Sequence, residues 1–201
     1  MKRISLIIVA LVVTQTLSHA QEFDKQLAAA KSSYSVGKLE DARFAMEQML
    51  RELDVAIGKE IMKQLPTKLG ALNYNANEDN VTGGTAGGLG LMVHRSYGAS
   101  PKGGNIEVIK NSPLITSLNT ILSTPILGGM MTNENQKQIK VQGYKSVLTK
   151  NVNSETGKTD YELQIPMNNT LVTLKMDDTS EGDITSAANA IPLAKIAQMA
   201  Q

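Results

Sequence analysis

Apolar residues follow three rhythms along the chain, and each predicts a different kind of element. Residues 4–13 are apolar without a break except at Ser5. Phe23, Leu27, Ala30 and Tyr34 then recur at intervals of four, three and four, which places them on one face of a helix. Gly37 is a natural stop, because glycine tolerates the left-handed backbone that closes helices. A second helix is expected from about Leu39. Ala42, Met46, Met49, Leu53, Ile57 and Ile61 keep the helical period until Pro66, which forces Leu65 out of helical geometry. Gly58 weakens that helix by about 1 kcal/mol relative to alanine without breaking it.

From residue 91 the rhythm shortens to two. Leu91, Val93, Arg95 and Tyr97 alternate with Met92, His94 and Ser96, as a strand requires. Residues 98–104, with Pro101 and several glycines, read as a hairpin loop leading to a second strand over 105–110. Ser112-Pro113 is a helix start, a serine cap with proline at the first helical position. Leu114, Ile115, Leu118, Ile121 and Leu122 form that helix's apolar face, and Pro125 ends it. Residues 138–150 read as a strand pair or one bulged strand with a kink at Gly143. Tyr161, Leu163 and Ile165 alternate up to Pro166, Asn168-Asn169 turns the chain, and 171–176 returns. Asp183 is expected to cap a final helix that restarts at Pro192. Between the helical and strand regions, residues 69–90 are rich in asparagine and glycine. The stretch 83–90 reads as a mobile flap or linker.

These elements predict an α+β fold: a mainly antiparallel sheet of about five to six strands flanked by helices and preceded by an N-terminal helical hairpin. The expected divisions are a leader over 1–20, the hairpin over 21–65 and the α+β domain over 66–201. Lys2 and Arg3, the apolar run, and the ending Ser18-His19-Ala20 have the pattern of a secretory signal peptide. The run is shorter than the roughly 20 residues that span a bilayer. The mature chain is therefore expected to start at Gln21, to be soluble, and to work in the periplasm or outside the cell. Gln21 follows the cleavage site where a lipoprotein needs cysteine, so no lipid anchor is expected.

Two resemblances accompany this layout. Ala30, Tyr34, Gly37, Leu39 and Ala42 are spaced like the middle of a tetratricopeptide repeat. The pattern occurs once, whereas stacked repeats need about three units, so an isolated hairpin is expected. From Leu65 onward, the Arg95 and Tyr97 pair, the Asn111-Ser112-Pro113 helix entry, the Gly143-Tyr144 strand and the closing hairpin plus helix resemble a group of small secreted bacterial proteins with the PsbP-like α/β/α layout. That resemblance implies an accessory, binding or assembly role without catalysis.

Composition narrows the chemistry. Loss of Lys2 and Arg3 with the leader takes the formal net charge from +1 to −1, so nothing draws the chain to nucleic acid or an anionic membrane. The chain has no cysteine, which excludes disulfides, thiolate catalysis and cysteine-ligated metal. With His19 in the leader, His94 is the single mature histidine, too few for the usual zinc site. The methionines, including the adjacent Met130 and Met131, form no repeated ladder for copper and read as core filler. Asp177 to Asp183 starts like a calcium loop but has Ala188 where the twelfth-position glutamate belongs. The glycines of 83–90 lack the lysine and hydroxyl of a phosphate loop. Glu107 and Glu162 lie on expected strands, and nothing in the sequence makes them converge.

No cofactor and no catalytic residue is therefore assigned. The leading expectation is a binding or assembly accessory of the cell envelope, whose partner is a protein or a small apolar ligand. Arg95, Tyr97 and His94 are the residues expected to contact it, unless Arg95 simply pairs with Glu107 across the hairpin. The alternatives are a secreted hydrolase built around His94 and nearby acids, which lacks a Gly-x-Ser-x-Gly elbow, and an apolar-ligand carrier with a methionine-lined cavity.

Overall fold

A computed structural model describes residues 21–84, 90–99, 101–123, 135–154 and 156–200. The leader expected over 1–20, the centre of the glycine-rich stretch at 85–89, the helix stop at Pro125 and the Met130–Met131 pair lie outside the described residues. The contacts group the chain into two units, one up to Ala56 and one from Ile57 onward.

The first unit is helical. Residues 21–35 form α1, and α2 spans Leu39–Gln64, its last turns belonging to the second unit. Gly37 adopts a φ of +74°. The Gly37 and Lys38 N–H groups donate to the Tyr34 and Ser33 carbonyls at 3.1 and 2.9 Å, which satisfies carbonyls left over at the end of α1. The residues buried in this unit are small: Ala30, Ala42 and Ala45. Larger apolar residues, among them Leu27, Tyr34, Phe44 and Leu50, remain exposed.

The second unit is built on an antiparallel sheet. Its elements are β1 (Lys68–Leu69), β2 (Leu72–Asn73), a 3₁₀ turn (Ala76–Glu78), β3 (Asn80–Thr82), β4 (Met92–Ala99), β5 (Lys102–Lys110), α3 (Leu114–Ser123), β6 (Gln136–Val141), β7 (Tyr144–Val152), β8 (Thr159–Met167), β9 (Thr170–Met176), α4 (Glu181–Asn189) and α5 (Leu193–Met199). β1 and β2 pair only with each other, and the other seven form one sheet in the order β3-β4-β5-β9-β8-β7-β6. The fold is thus α+β with N-terminal helices. The sheet has one strand more than the upper expectation, because Asn80–Thr82 pairs with β4 as a short edge strand. The expected loop at 98–104 is also shorter, since β4 and β5 stay paired out to Ala99 and Lys102.

Alternation divides the sheet into two faces. On one, Val93, Ile106, Val108, Leu163, Ile165, Val172 and Leu174 pack with Ile61 and Leu65 of the α2 end and with Ile184, Leu193 and Ile196 of α4 and α5. Burying each such side chain is worth about 2 kcal/mol. On the other face, Ile115, Leu118 and Leu122 of α3 cover Val147 and Leu171. Met62, Met167 and Met176 fill the core as expected of methionine, but Met46 and Met92 are exposed.

Three local features set this geometry. An added Cβ on Gly58 would stand 2.6 Å from Leu91 Cδ1 and closer still to Val81 Cγ1, so α2 can lie this near β3 and β4 only with glycine there. Gln142 and Gly143 take φ of +50° and +88°, a two-residue turn that makes 136–152 a hairpin rather than a bulged strand. Gln142 Nε2 also donates to the Ile191 carbonyl at 2.7 Å. The cap of α4 is Ser180, not Asp183: Ser180 Oγ accepts from the Asp183 N–H at 3.1 Å and donates to its carboxylate at 2.7 Å. The helix starts one turn before the expected position, so Asp183 serves as the reciprocal partner inside its first turn.

Candidate functional site on the open sheet face

The face that α3 partly covers carries two polar rows beyond the helix. Register places Asn80, His94, Glu107, Thr173 and Gln164 side by side on β3, β4, β5, β9 and β8. The next row is Ser96, Asn105, Lys175, Glu162 and Thr149 on β4, β5, β9, β8 and β7. Period-two alternation accounts for both rows: residues 94 and 96 point away from the core that holds 93, 95 and 97.

His94 joins the rows. Its Nδ1 lies 3.3 Å from Glu107 Oε1, and its Nε2 lies 3.0 Å from Ser96 Oγ. With the carboxylate ionised, Nδ1 must carry the ring hydrogen, which leaves Nε2 to accept from the serine hydroxyl. The His94 and Glu107 side chains are about one-third exposed, at 30% and 32%. A hydroxyl, an imidazole and an acid are thereby linked in the order that nucleophilic catalysis uses. The sequence contained half of this signal: His94-x-Ser96 in an alternating strand puts both on one face. The acid required the register of the β4–β5 hairpin.

That register also corrects the expected Arg95–Glu107 pair. Arg95 stands opposite Ile106, and Glu107 stands opposite His94. Arg95 is on the core face with Val93 and Tyr97, and only 7% of it is exposed. Its Nε and Nη2 donate to Asp79 Oδ1 and Oδ2 at 3.0 and 2.6 Å, Nη1 donates to the Leu65 carbonyl at 3.2 Å, and the guanidinium stacks 4.6 Å from the Tyr74 ring centre. The hydrogen bonds to Asp79 raise the Arg95 pKa above its ordinary value. Tyr97 is buried, with its hydroxyl donating to the Pro66 carbonyl at 2.7 Å. Burial pushes its phenol up, against the opposing charge of Arg95. Of the three residues expected to contact a partner, the structure leaves His94 at the surface and uses Arg95 and Tyr97 to hold the chain that follows α2. Asp79, the counter-ion, lies in the turn-rich stretch, where no pattern in the sequence singled it out.

A cavity of about 320 Å³ opens beside Ser96. Asn75, Glu78, Asn105, Lys175 and Asp177 contribute its polar walls, together with Ser96 itself. The register pair Gly98 and Gly103 lines it too, and an added Cβ on Gly103 would come within 3.4 Å of Asp177 Oδ2. Asn105 Oδ1 is buried without a hydrogen-bond partner, a costly state for an amide oxygen. Lys175 Nζ pairs with Glu162 Oε2 at 3.3 Å, and β9 separates Glu162 from the strand of Glu107, so the two glutamates do not form a carboxylate pair. A second cavity, of about 490 Å³, has Leu69, Met176 and Ala187 in its wall, along with Lys68, Lys102 and Asp183. A single methionine lines it.

Among the described residues no group of three or more His, Cys, Asp or Glu side chains could hold a metal ion, and no helix is long and apolar enough to cross a membrane. Comparison with family models, with curated proteins and with solved structures gives no match.

Proposed function

We propose that this chain is an exported binding or assembly accessory of the bacterial cell envelope, and that it holds its ligand in the cavity beside Ser96. The leader-like first twenty residues and the PsbP-like order of elements from Leu65 support the location and the role. The observation that carries the reading is the unpartnered Asn105 Oδ1 beside a cavity with two carboxylates, Glu78 and Asp177, in its walls. An acceptor lacking a donor and two nearby anions favour a ligand that brings N–H groups and positive charge. A peptide with a free amino terminus has that chemistry, and Lys175 in the same wall suits its carboxylate end.

Titration calorimetry with short peptides, each in free-amine and N-acetylated form, tests this reading. The free-amine peptides are expected to bind, with affinity reduced at least tenfold by acetylation and by Asp177→Asn. Absence of binding by every peptide, or equal binding by the variant, overturns it.

A further inference from the structure

Ser96 lines the cavity and also ends the chain Glu107–His94–Ser96. We propose that Ser96 is an acyl-accepting nucleophile, and that the cavity proposed to bind free-amine peptides also admits an ester or another activated acyl group. The inference rests on the binding reading in that the acyl group occupies the same cavity.

The argument is one of connectivity. A serine hydroxyl is a weak nucleophile at its own pKa and needs an adjacent base. His94 Nε2 lies 3.0 Å from Ser96 Oγ, within reach for proton transfer. The opposite nitrogen faces Glu107, which fixes the tautomer that leaves Nε2 free and stabilises the imidazolium once it forms. Ser96 is at once the end of this chain and part of the cavity wall. Asn105, directly across from Ser96, and Lys175, next along the row, are its polar neighbours in the same cavity wall. The paired glycines at 98 and 103 line the same cavity.

The reaction balances without any cofactor. Ser96 Oγ bonds to the ester carbonyl carbon while its proton passes to His94 Nε2. The ester C–O bond then breaks, and the departing alcohol takes that proton, leaving acyl-Ser96. Water adds to the acyl carbon and gives its proton to Nε2, the Oγ–C bond breaks, and the serine recovers the proton as a carboxylic acid is released. Ser96 and His94 touch the reacting atoms, and Glu107 is a positioning residue.

The test uses the purified full chain with p-nitrophenyl acetate and with a fluorophosphonate probe, read by intact mass and by mapping the labelled peptide. Wild type is expected to gain one adduct on Ser96. Ser96→Ala should lose it, and His94→Gln should slow it at least a hundredfold. Glu107→Gln should slow it at least tenfold, and Glu107→Asp, which keeps a carboxylate on that side of the ring, should restore part of the rate. Thermal melts by circular dichroism establish that each variant is folded. An unlabelled wild type, an adduct at another residue, or a folded His94→Gln that labels at the wild-type rate overturns the proposal. Peptide binding without labelling of Ser96 leaves the binding reading standing and removes this one.

Discussion

Arg95 grips Asp79 with two nearly parallel hydrogen bonds, Nε to Oδ1 and Nη2 to Oδ2, inside the second unit. Their side chains are 8% and 19% exposed, so the pair is largely shielded from water and salt. Removing one partner strands a charge in that environment. Asp79→Asn is therefore expected to cost about 3 kcal/mol in urea denaturation. A double replacement, Arg95→Met with Asp79→Leu, should lose less than Asp79→Asn alone, because no buried charge is left without a counter-ion. Equal losses would show that packing, not charge, sets the cost.

Tyr97 carries a pH signature. Its buried phenol ionises less readily than a free tyrosine, so the folded-state pKa lies above the unfolded value of about 10. A raised folded pKa means that the native state keeps a proton the unfolded state gives up. The contribution is fully present below pH of about 10 and is lost as pH rises beyond it, at up to about 1.4 kcal/mol per pH unit. Urea midpoints of wild type and Tyr97→Phe, measured between pH 9 and 11.5, should show the steeper alkaline fall in wild type alone. Near neutral pH the variant should be about 1 kcal/mol less stable, for want of the hydrogen bond to Pro66.

Gly58→Ala tests helix propensity against packing. In isolation the change favours a helix by about 1 kcal/mol. Here the new methyl meets Leu91 and Val81 at contacts no carbon tolerates, and overpacking of that kind costs about 1–3 kcal/mol. A net destabilisation is expected in thermal melts. Combining it with Val81→Ala, which clears the nearer clash, should recover part of the loss.

Ser180→Ala removes the acceptor for the Asp183 N–H and frees the Asp183 carboxylate. The expected cost is about 1 kcal/mol, with Ser180→Asp close to wild type. Hydrogen exchange of the Asp183 amide should accelerate in the alanine variant only.

These positions also show where the sequence was informative. The period-two rhythm located β4, β5 and β8 because each buries one face against the core, and the helical rhythm located α2, whose last turns do the same; β9 is buried on both faces and is placed by the Asn168-Asn169 turn. Arg95 is expected at the surface because it is charged, yet it shares the alternation of Val93 and Tyr97 and is buried with them. Asp79 was not legible, since its role depends on a turn folding back over β4. Ser96 and His94 were visible as i, i+2 neighbours on one face. Glu107 joined them only through pairing register, which depends on where the β4–β5 turn falls. Gly58 was read by helix propensity alone, whereas its reason is a neighbour far along the chain.

The sheet's middle seam has a consequence for how the protein assembles. β5 closes the meander β3-β4-β5, β9 closes the meander β6-β7-β8-β9, and the two meet only where Lys110 through Gly104 pair with Thr170 through Met176. Each half can zip locally, but joining them requires a long loop closure, which slows folding relative to contacts made between neighbours. Until the last strand of the second meander arrives, β5 keeps an unpaired edge, the kind that recruits strands from other chains. Until β9 docks, β5 is thus the strand at which misassembly can begin.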